Sequence, residues 1–423
     1  MSISERPYWL IASSAFAILA TLISAPILTS WLGPSGRGIA YTALAVGSLG
    51  SSVFSIAVTT TLRIEYTRRT GRLSSYNFMH MIWAALAIYL VAAIYFLFDQ
   101  GLTLSGGALL VIASAAALSL ANGIFATILM AKHRYLQVGL IGTLGPGLQL
   151  LIAVLAGPLE SGQAVNYILS SYLVSAAFST LFTYFVSRRY RTGDKASAIR
   201  VPVLSSIKNI APQAIQLFNG RFDLLWATLL FGASFGGRYS LALMVAIPLL
   251  LIQSALLAPY LTSQITSGVS KDQAASQDLI HQIQKIWSIG TLMGLASAIG
   301  GALLVVPIFG NEFAEVAYLC WFTVASAVIS LLVSFTSDVL VAANQGPAAL
   351  RNLLRALLAF AVLATLSRFV GEFAFVVPVI SFYSIVLLGN LRLLGISPLS
   401  LRVSISSAIQ ATQDLGLGFK KQS

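Results

Sequence analysis

Apolar runs long enough to cross a lipid bilayer recur from one end of this chain to the other, with only short polar breaks between them. A helix needs about 20 apolar residues to cross the hydrocarbon core. In lipid the backbone must satisfy its own hydrogen bonds, so helices are the expected form. Reading the breaks gives spans near 8–31, 38–62, 77–98, 104–131, 136–157 and 165–187 in the first half. The second half gives 207–230, 237–263, 286–308, 316–342, 349–369 and 372–394. The expected fold class is an all-α, polytopic membrane protein of about twelve transmembrane helices in two six-helix bundles around a central cavity. The expected division is residues 1–200 and 201–394 for the bundles, with 395–423 as a cytoplasmic tail. Composition agrees: only 9% of the 423 residues are charged, against roughly a quarter in a soluble globular protein. The run from Trp9 to Leu32 is longer than a signal-peptide core and reads as the first spanning helix.

The net charge of +12 would suggest nucleic acid if it lay on one face. Its distribution points elsewhere. With the N-terminus in the cytoplasm and alternating spans, the inside segments hold Arg6, then Arg63, Arg68, Arg69 and Arg72, then Lys132 and Arg134. The third inside loop is the richest, with Arg188, Arg189, Arg191, Lys195, Arg200 and Lys208. Of all 25 Lys and Arg residues, only Arg37, Arg238 and Arg368 fall outside and Arg221 within a span. The outside loops hold Asp99, Glu160, Glu312, Glu315 and Glu372 instead. One missed or invented helix would scramble this asymmetry downstream, so an even helix count with both termini cytoplasmic is expected. The basic excess is a topological signal, and no nucleic-acid partner is implied.

Several kinds of chemistry find no support in the sequence. Cys320 is the one cysteine, so no internal disulfide or thiolate metal cluster is indicated. His80, His133 and His281 are scattered and make no metal or triad constellation. No Walker-type glycine-lysine loop is present, and no outside loop is long enough to carry a polymerase or ligase site. The chain is read as a non-enzyme without a metal or bound cofactor.

Charges inside spans are costly, about 2.5–3.5 kcal/mol at a helix centre, so the few present are informative. The seventh span carries Asn209, Gln213, Gln216, Gly220 and Asp223 at spacings of four, three, four and three. At roughly 100° per residue these form one stripe. Arg221 stands to one side of it. The stripe either lines an aqueous cavity or makes interhelical hydrogen bonds, with Arg221 paired to Asp223 or snorkelling outward. Asp338, near the cytoplasmic end of the tenth span, reads either as part of a solvated mouth or as an ion-coupling site. Arg37 reads as an interfacial anchor. The stripes Ser48, Ser52, Ser55 and Ser171, Ser175, Ser179 read as close-packing faces.

The first outside turn is Gly33-Pro34-Ser35-Gly36-Arg37-Gly38, leading to Tyr41. About half a chain later comes Gly232-Ala233-Ser234-Phe235-Gly236-Gly237-Arg238, leading to Tyr239. Pairing Tyr41 with Tyr239 suggests a parallel repeat of six helices per half. Leu32 to Gly38 resembles the opening of bacterial Wzx-type polysaccharide transporters, lipid-linked oligosaccharide flippases of the multidrug/oligosaccharidyl-lipid/polysaccharide exporter superfamily. Asn219-Gly220-Arg221-Phe222-Asp223 and Gly237-Arg238-Tyr239-Ser240-Leu241-Ala242 resemble the same family's seventh helix and its entry to the eighth. The resemblance implies transfer of undecaprenyl-diphosphate-linked oligosaccharide repeat units to the outer leaflet of the bacterial inner membrane, for surface polysaccharide such as the O-antigen of lipopolysaccharide. It further implies Arg221 as a cavity cation with Asp223 orienting it, drive from protons, sodium or membrane potential, and a polysaccharide polymerase and chain-length regulator as partners. A multidrug or cation antiporter of the same superfamily, and a non-transporting scaffold of a glycan-synthesis complex, are the alternatives.

The topology is directly measurable. In a Cys320→Ala background, a cysteine placed at Ser35 or Glu160 is expected to react with a membrane-impermeant maleimide in intact cells. One placed at Lys195 or Lys420 is expected to react only after permeabilisation. Labelling of all four alike would overturn the assigned topology.

Overall fold

The structure, a computed structural model, describes residues 8–68, 85–95, 105–132, 134–191, 215, 218–249, 277–343, 345–398, 401, 403–404 and 406–407. Its elements are α1 (Tyr8–Arg68), α2 (Ala85–Tyr95), α3 (Gly106–Ala131), α4 (Tyr135–Ala156), α5 (Ser161–Arg191), a π turn (Phe218–Phe222) and α6 (Asp223–Val245). There follow α7 (Gln277–Phe309), a 3-10 turn (Asn311–Phe313), α8 (Val316–Ala342), α9 (Gly346–Val370), a 3-10 turn (Glu372–Phe375) and α10 (Val376–Leu393). Among the described residues 8 helices are long and apolar enough to cross a membrane. The fold is therefore the expected all-α, polytopic one.

The spans expected at 104–131, 136–157, 165–187, 316–342, 349–369 and 372–394 agree with the helices to within a few residues. Both ends of the span expected at 77–98, the start near 207 and the end near 263 lie outside the described residues. Five spans differ informatively. The first two spans are not separated by a loop: α1 is interrupted only at Gly33. The same holds for the seventh and eighth, where α6 breaks only at Gly232. The ninth begins at Gln277, because its polar first turns continue the helix beyond the apolar stretch.

The chain divides into two compact units, one of residues 2–207 with 220–240, the other of 208–219 with 241–423. In the first, α1 packs against α3, α4 and α5. Small polar residues are accommodated by bonding to their own helix. Thr21 Oγ1 donates to the Ala17 carbonyl at 2.8 Å, and Ser171 Oγ to the Ile168 carbonyl at 2.8 Å. Such back-bonding satisfies a hydroxyl where no water is available. The Ser171, Ser175 and Ser179 side chains are buried. A Cβ at Gly145 would lie 3.0 Å from Ser175 Oγ. The stripe is thus a packing face, on which α4 approaches α5 closely. On α5, Thr183 Oγ1 also donates to Asn122 Oδ1 of α3 at 2.6 Å.

In the second unit α8 is the core helix, packed against α7, α9 and α10, and every residue from Leu331 to Ser337 is buried. A polar cluster joins three helices there. Asn390 Nδ2 donates to Ser337 Oγ at 2.7 Å and Thr336 Oγ1 at 3.2 Å, while Asn352 Nδ2 donates to Asn390 Oδ1 at 3.3 Å. Asn390 is fully buried. Phe218, at the start of the π turn, stacks on Phe382 with centroids 3.7 Å apart and meets Phe360 edge-on. Beyond α10 the tail begins by docking on α7, where Ser404 N donates to Ser288 Oγ at 3.0 Å.

Interhelical hydrogen bonds in membranes contribute modestly, to about 1.7 kcal/mol at most. Asn390→Ala, which removes one centre of three such bonds, is expected to cost about 1–2 kcal/mol, read as a lower Tm in detergent. Thr365→Ala, at an exposed hydroxyl bonded within its own helix, is the control expected to leave Tm unchanged.

Candidate functional site

The two glycine breaks come together in the first unit. Gly33 has φ 60° and ψ −179°, and Gly232 has φ 86° and ψ 172°. This region is open essentially to glycine alone. The residues after them meet in a reciprocal contact. A Cβ on Gly38 would collide with the Ala233 carbonyl oxygen, and a Cβ on Gly237 with the Pro34 carbonyl oxygen. Gly33 with Gly232, Pro34 with Ala233, and Gly38 with Gly237 are all separated by the same step along the chain. The two turns are therefore repeats of one motif packed face to face. This register differs by one residue from the one that pairs Tyr41 with Tyr239. The aromatic residues are a weaker alignment marker than the backbone contacts, which tolerate no Cβ.

Arg37 is fully buried at this contact, not an interfacial anchor. Its Nη1 donates to Thr29 Oγ1 at 2.6 Å and its Nε to Ser240 Oγ at 3.0 Å. Its guanidinium carbon lies 4.2 Å from the centre of the Tyr41 ring. Hydrogen bonds and the ring face together stabilise a charge removed from water. Thr29 and Thr228 occupy equal places in the two repeats. Thr228 gives its proton to the Leu224 carbonyl at 3.0 Å, so Thr42 is the donor in the 2.7 Å bond between Thr42 and Thr228. Where the first repeat has Arg37 the second has Gly236, whose Cβ position is taken up by the Thr228 side chain.

The polar residues of the seventh span separate. Asp223 opens α6 and is fully buried. Its Oδ2 accepts from the Tyr239 hydroxyl at 2.9 Å and its Oδ1 from the Leu224 N–H at 2.8 Å. The Tyr239 bond spans the Gly232 break and ties the two arms of α6 together. In this conformation Asp223 is held in packing and closed to solvent. Arg221 lies in the π turn, half-buried, and its Nη1 donates to Ser52 Oγ at 2.9 Å. No carboxylate pairs with it among the described residues. Residues two apart on a helix lie about 200° apart around its axis, so Arg221 and Asp223 face opposite ways. Asn209, Gln213 and Gln216 lie outside the described residues. Asp338 is half-buried near the end of α8, next to the Asn390 cluster. The Asn352–Asn390 cluster and the partnership of Ser52 with Arg221 escaped sequence reading, since both join residues far apart in the chain.

No protein-family model matches this chain, and no curated protein does. Solved structures do. A lipid II flippase MurJ in an inward closed conformation aligns with TM-score 0.67 at 12% identity, covering 98% of this chain and 92% of that one. A MATE protein in complex with MaL6 aligns with TM-score 0.58 at 14% identity, covering 99% and 96%. A MOP superfamily transporter from Pyrococcus furiosus aligns with TM-score 0.54 at 14% identity, covering 97% and 95%. At such identities the likeness is one of fold. It extends over nearly the whole chain, and it makes the protein a multi-pass membrane protein with the architecture of MOP superfamily transporters.

The reciprocal glycine contact yields a sharp expectation. Gly38→Ala and Gly237→Ala each force two backbones apart and are expected to cost about 1–3 kcal/mol, the usual range for overpacking, seen as reduced Tm and membrane abundance. Gly142→Ala, where a Cβ meets open space, is expected to leave both unchanged.

Proposed function

We propose that this protein is a flippase carrying undecaprenyl-diphosphate-linked oligosaccharide repeat units from the cytoplasmic to the outer leaflet of the bacterial inner membrane, for surface polysaccharide biosynthesis. The observation that carries the reading is Arg221: a half-buried cation within a membrane span, held by a neutral hydroxyl and matched by no carboxylate among the described residues. A charge kept there at a cost of several kcal/mol is suited to receive an anion. The end-to-end fold likeness to a lipid II flippase supports the same class of cargo. So does the family resemblance of the two glycine turns.

The physics is coherent. The lipid tails stay in the bilayer while the polar head crosses through protein, which must coordinate groups that lipid cannot. A head of charge near −2 moving toward the outside of a cell with a negative interior gains about 4–5 kcal/mol per 100 mV. Membrane potential, with or without coupled protons or sodium, is thereby the proposed drive. Both termini are proposed to be cytoplasmic, and a polymerase and chain-length regulator to act downstream.

Deleting the gene is expected to accumulate lipid-linked repeat units in the cytoplasmic leaflet, and Arg221→Ala to slow their flipping in proteoliposomes about tenfold or more. Unchanged surface glycan together with new sensitivity to cationic drugs would instead identify a multidrug antiporter; a multidrug resistance MATE family transporter has a similar fold.

A further inference from the structure

The chain turns back onto its own bundle after the last span. The Ile396 N–H donates to the Leu391 carbonyl at 2.9 Å and the Gly395 N–H to the Arg392 carbonyl at 3.2 Å, with Gly395 at φ 70°. This is a Schellman turn, and Ile396 and Leu391, the apolar pair that accompanies it, are both buried. The turn takes the chain off the axis of α10. It reaches α7 at Ser404, whose N–H donates to Ser288 Oγ at 3.0 Å. Both α7 and α10 pack on α8, so within the second unit the tail links two helices that share one neighbour.

The docking point on α7 is shaped for this partner. Ser288 is fully buried, yet its hydroxyl makes no bond to its own helix among the described residues. Thr291, one turn on, does so, donating to the Trp287 carbonyl at 2.8 Å. Just before Ser288, in the polar turns that precede the apolar stretch, Leu279, Ile283 and Ile286 recur at spacings of four and three and are all buried. That stripe is one face of the helix and needs cover. The tail's side of the contact is light by comparison. Of its described residues from Leu401 on, only Ser407 is buried, while Val403 and Ser406 are exposed. Among the described residues, the Ser404 bond is the one hydrogen bond from this stretch to α7. Segments with few buried contacts open locally at low cost. Ser404 Oγ also accepts from the Ser407 N–H at 3.4 Å, the arrangement of a helix N-cap, so the tail keeps its own turn when it leaves α7.

We propose that the tail is a releasable strap. Seated on Ser288, it holds α7 to the rest of the second unit at the end that the proposed topology makes cytoplasmic. Its release frees that end of α7 to move, and in the resting protein the seated strap restrains transport. This goes beyond the flippase reading, and only the transport arm of its test rests on that reading.

The test uses the full-length protein in proteoliposomes. It reads amide hydrogen exchange over residues 277–289 and, with lipid-linked repeat units extracted from the deletion strain as cargo, the rate of flipping. Ser288→Ala removes the acceptor and Ser404→Pro the donor. Each is expected to speed both exchange and flipping about two- to fivefold, as loss of one hydrogen bond would. Joining Ser288→Cys to Ser404→Cys by mild oxidation, in a Cys320→Ala background, is expected to slow exchange and to cut flipping more than about tenfold, as a closed gate would. Reductant is expected to reverse both effects. Native-rate flipping by the joined protein would overturn the strap while leaving the flippase reading standing. Slower flipping in Ser288→Ala and Ser404→Pro, with native elution on size exclusion, would overturn it too, by making the tail a support and not a restraint. Unchanged exchange in all the variants would do the same. Exchange that follows the variants as expected, in a protein whose deletion accumulates no lipid-linked repeat units, would refute the flippase reading and spare the strap.

Discussion

A peptide group in hydrocarbon has no water to bond with, and each unsatisfied N–H or C=O costs several kcal/mol there. That constraint makes most of the described chain long helix, and it makes each departure from helix inside a span expensive. Two departures within long helices are glycines with positive φ, at Gly33 and Gly232, and another precedes α6, the π turn at Phe218–Phe222. The glycine breaks close onto each other through bare backbone. The π turn holds the one half-exposed arginine of the seventh span. Irregular backbone at membrane depth persists only where protein surrounds it or a cavity needs it, so these positions are where function is to be sought.

Three of the charged residues near these breaks have different fates, and the difference is electrostatic. Arg37 is removed from solvent altogether and is stabilised by two hydroxyls and an aromatic face. Asp223 is equally buried and is stabilised by a phenol and a backbone N–H. Both are held as structural members. Arg221 keeps some exposure and, among the described residues, makes one hydrogen bond, to a neutral partner. A buried charge with its bonds made resists change, while a charge with bonds to spare can exchange partners. On that distinction Arg37 is a brace and Arg221 is not, although the two look alike in sequence.

Much of the fold was legible because lipid solvent turns composition into geometry. The run from Val316 to Ala342 reads as a span from its residues alone, and the helix has those limits. The glycine motif was also visible, since only glycine permits such a turn. What could not be read was partnership. Nothing local to Asn390 announces Thr336 or Asn352, and nothing local to Ser52 announces Arg221. The stripe reading of the seventh span assumed an unbroken α period, and a π turn lies within it at Phe218–Phe222. The serine stripe of α5 was legible as a packing face, since small side chains at helical spacing allow close approach wherever they occur.

The sequence by itself determined that the chain is a polytopic helical bundle, where the spans from α3 to α5 and from α8 to α10 begin and end, and that two half-chain turns are related. Hydrophobic length, charge asymmetry and glycine placement are local or statistical properties, and a linear text carries them. The tertiary structure alone decided the register of the repeat, through contacts that leave no room for a Cβ at Gly38 or Gly237. It also decided which of the intramembrane charges is locked and which is open, because desolvation and hydrogen-bond partners depend on residues brought together from distant spans.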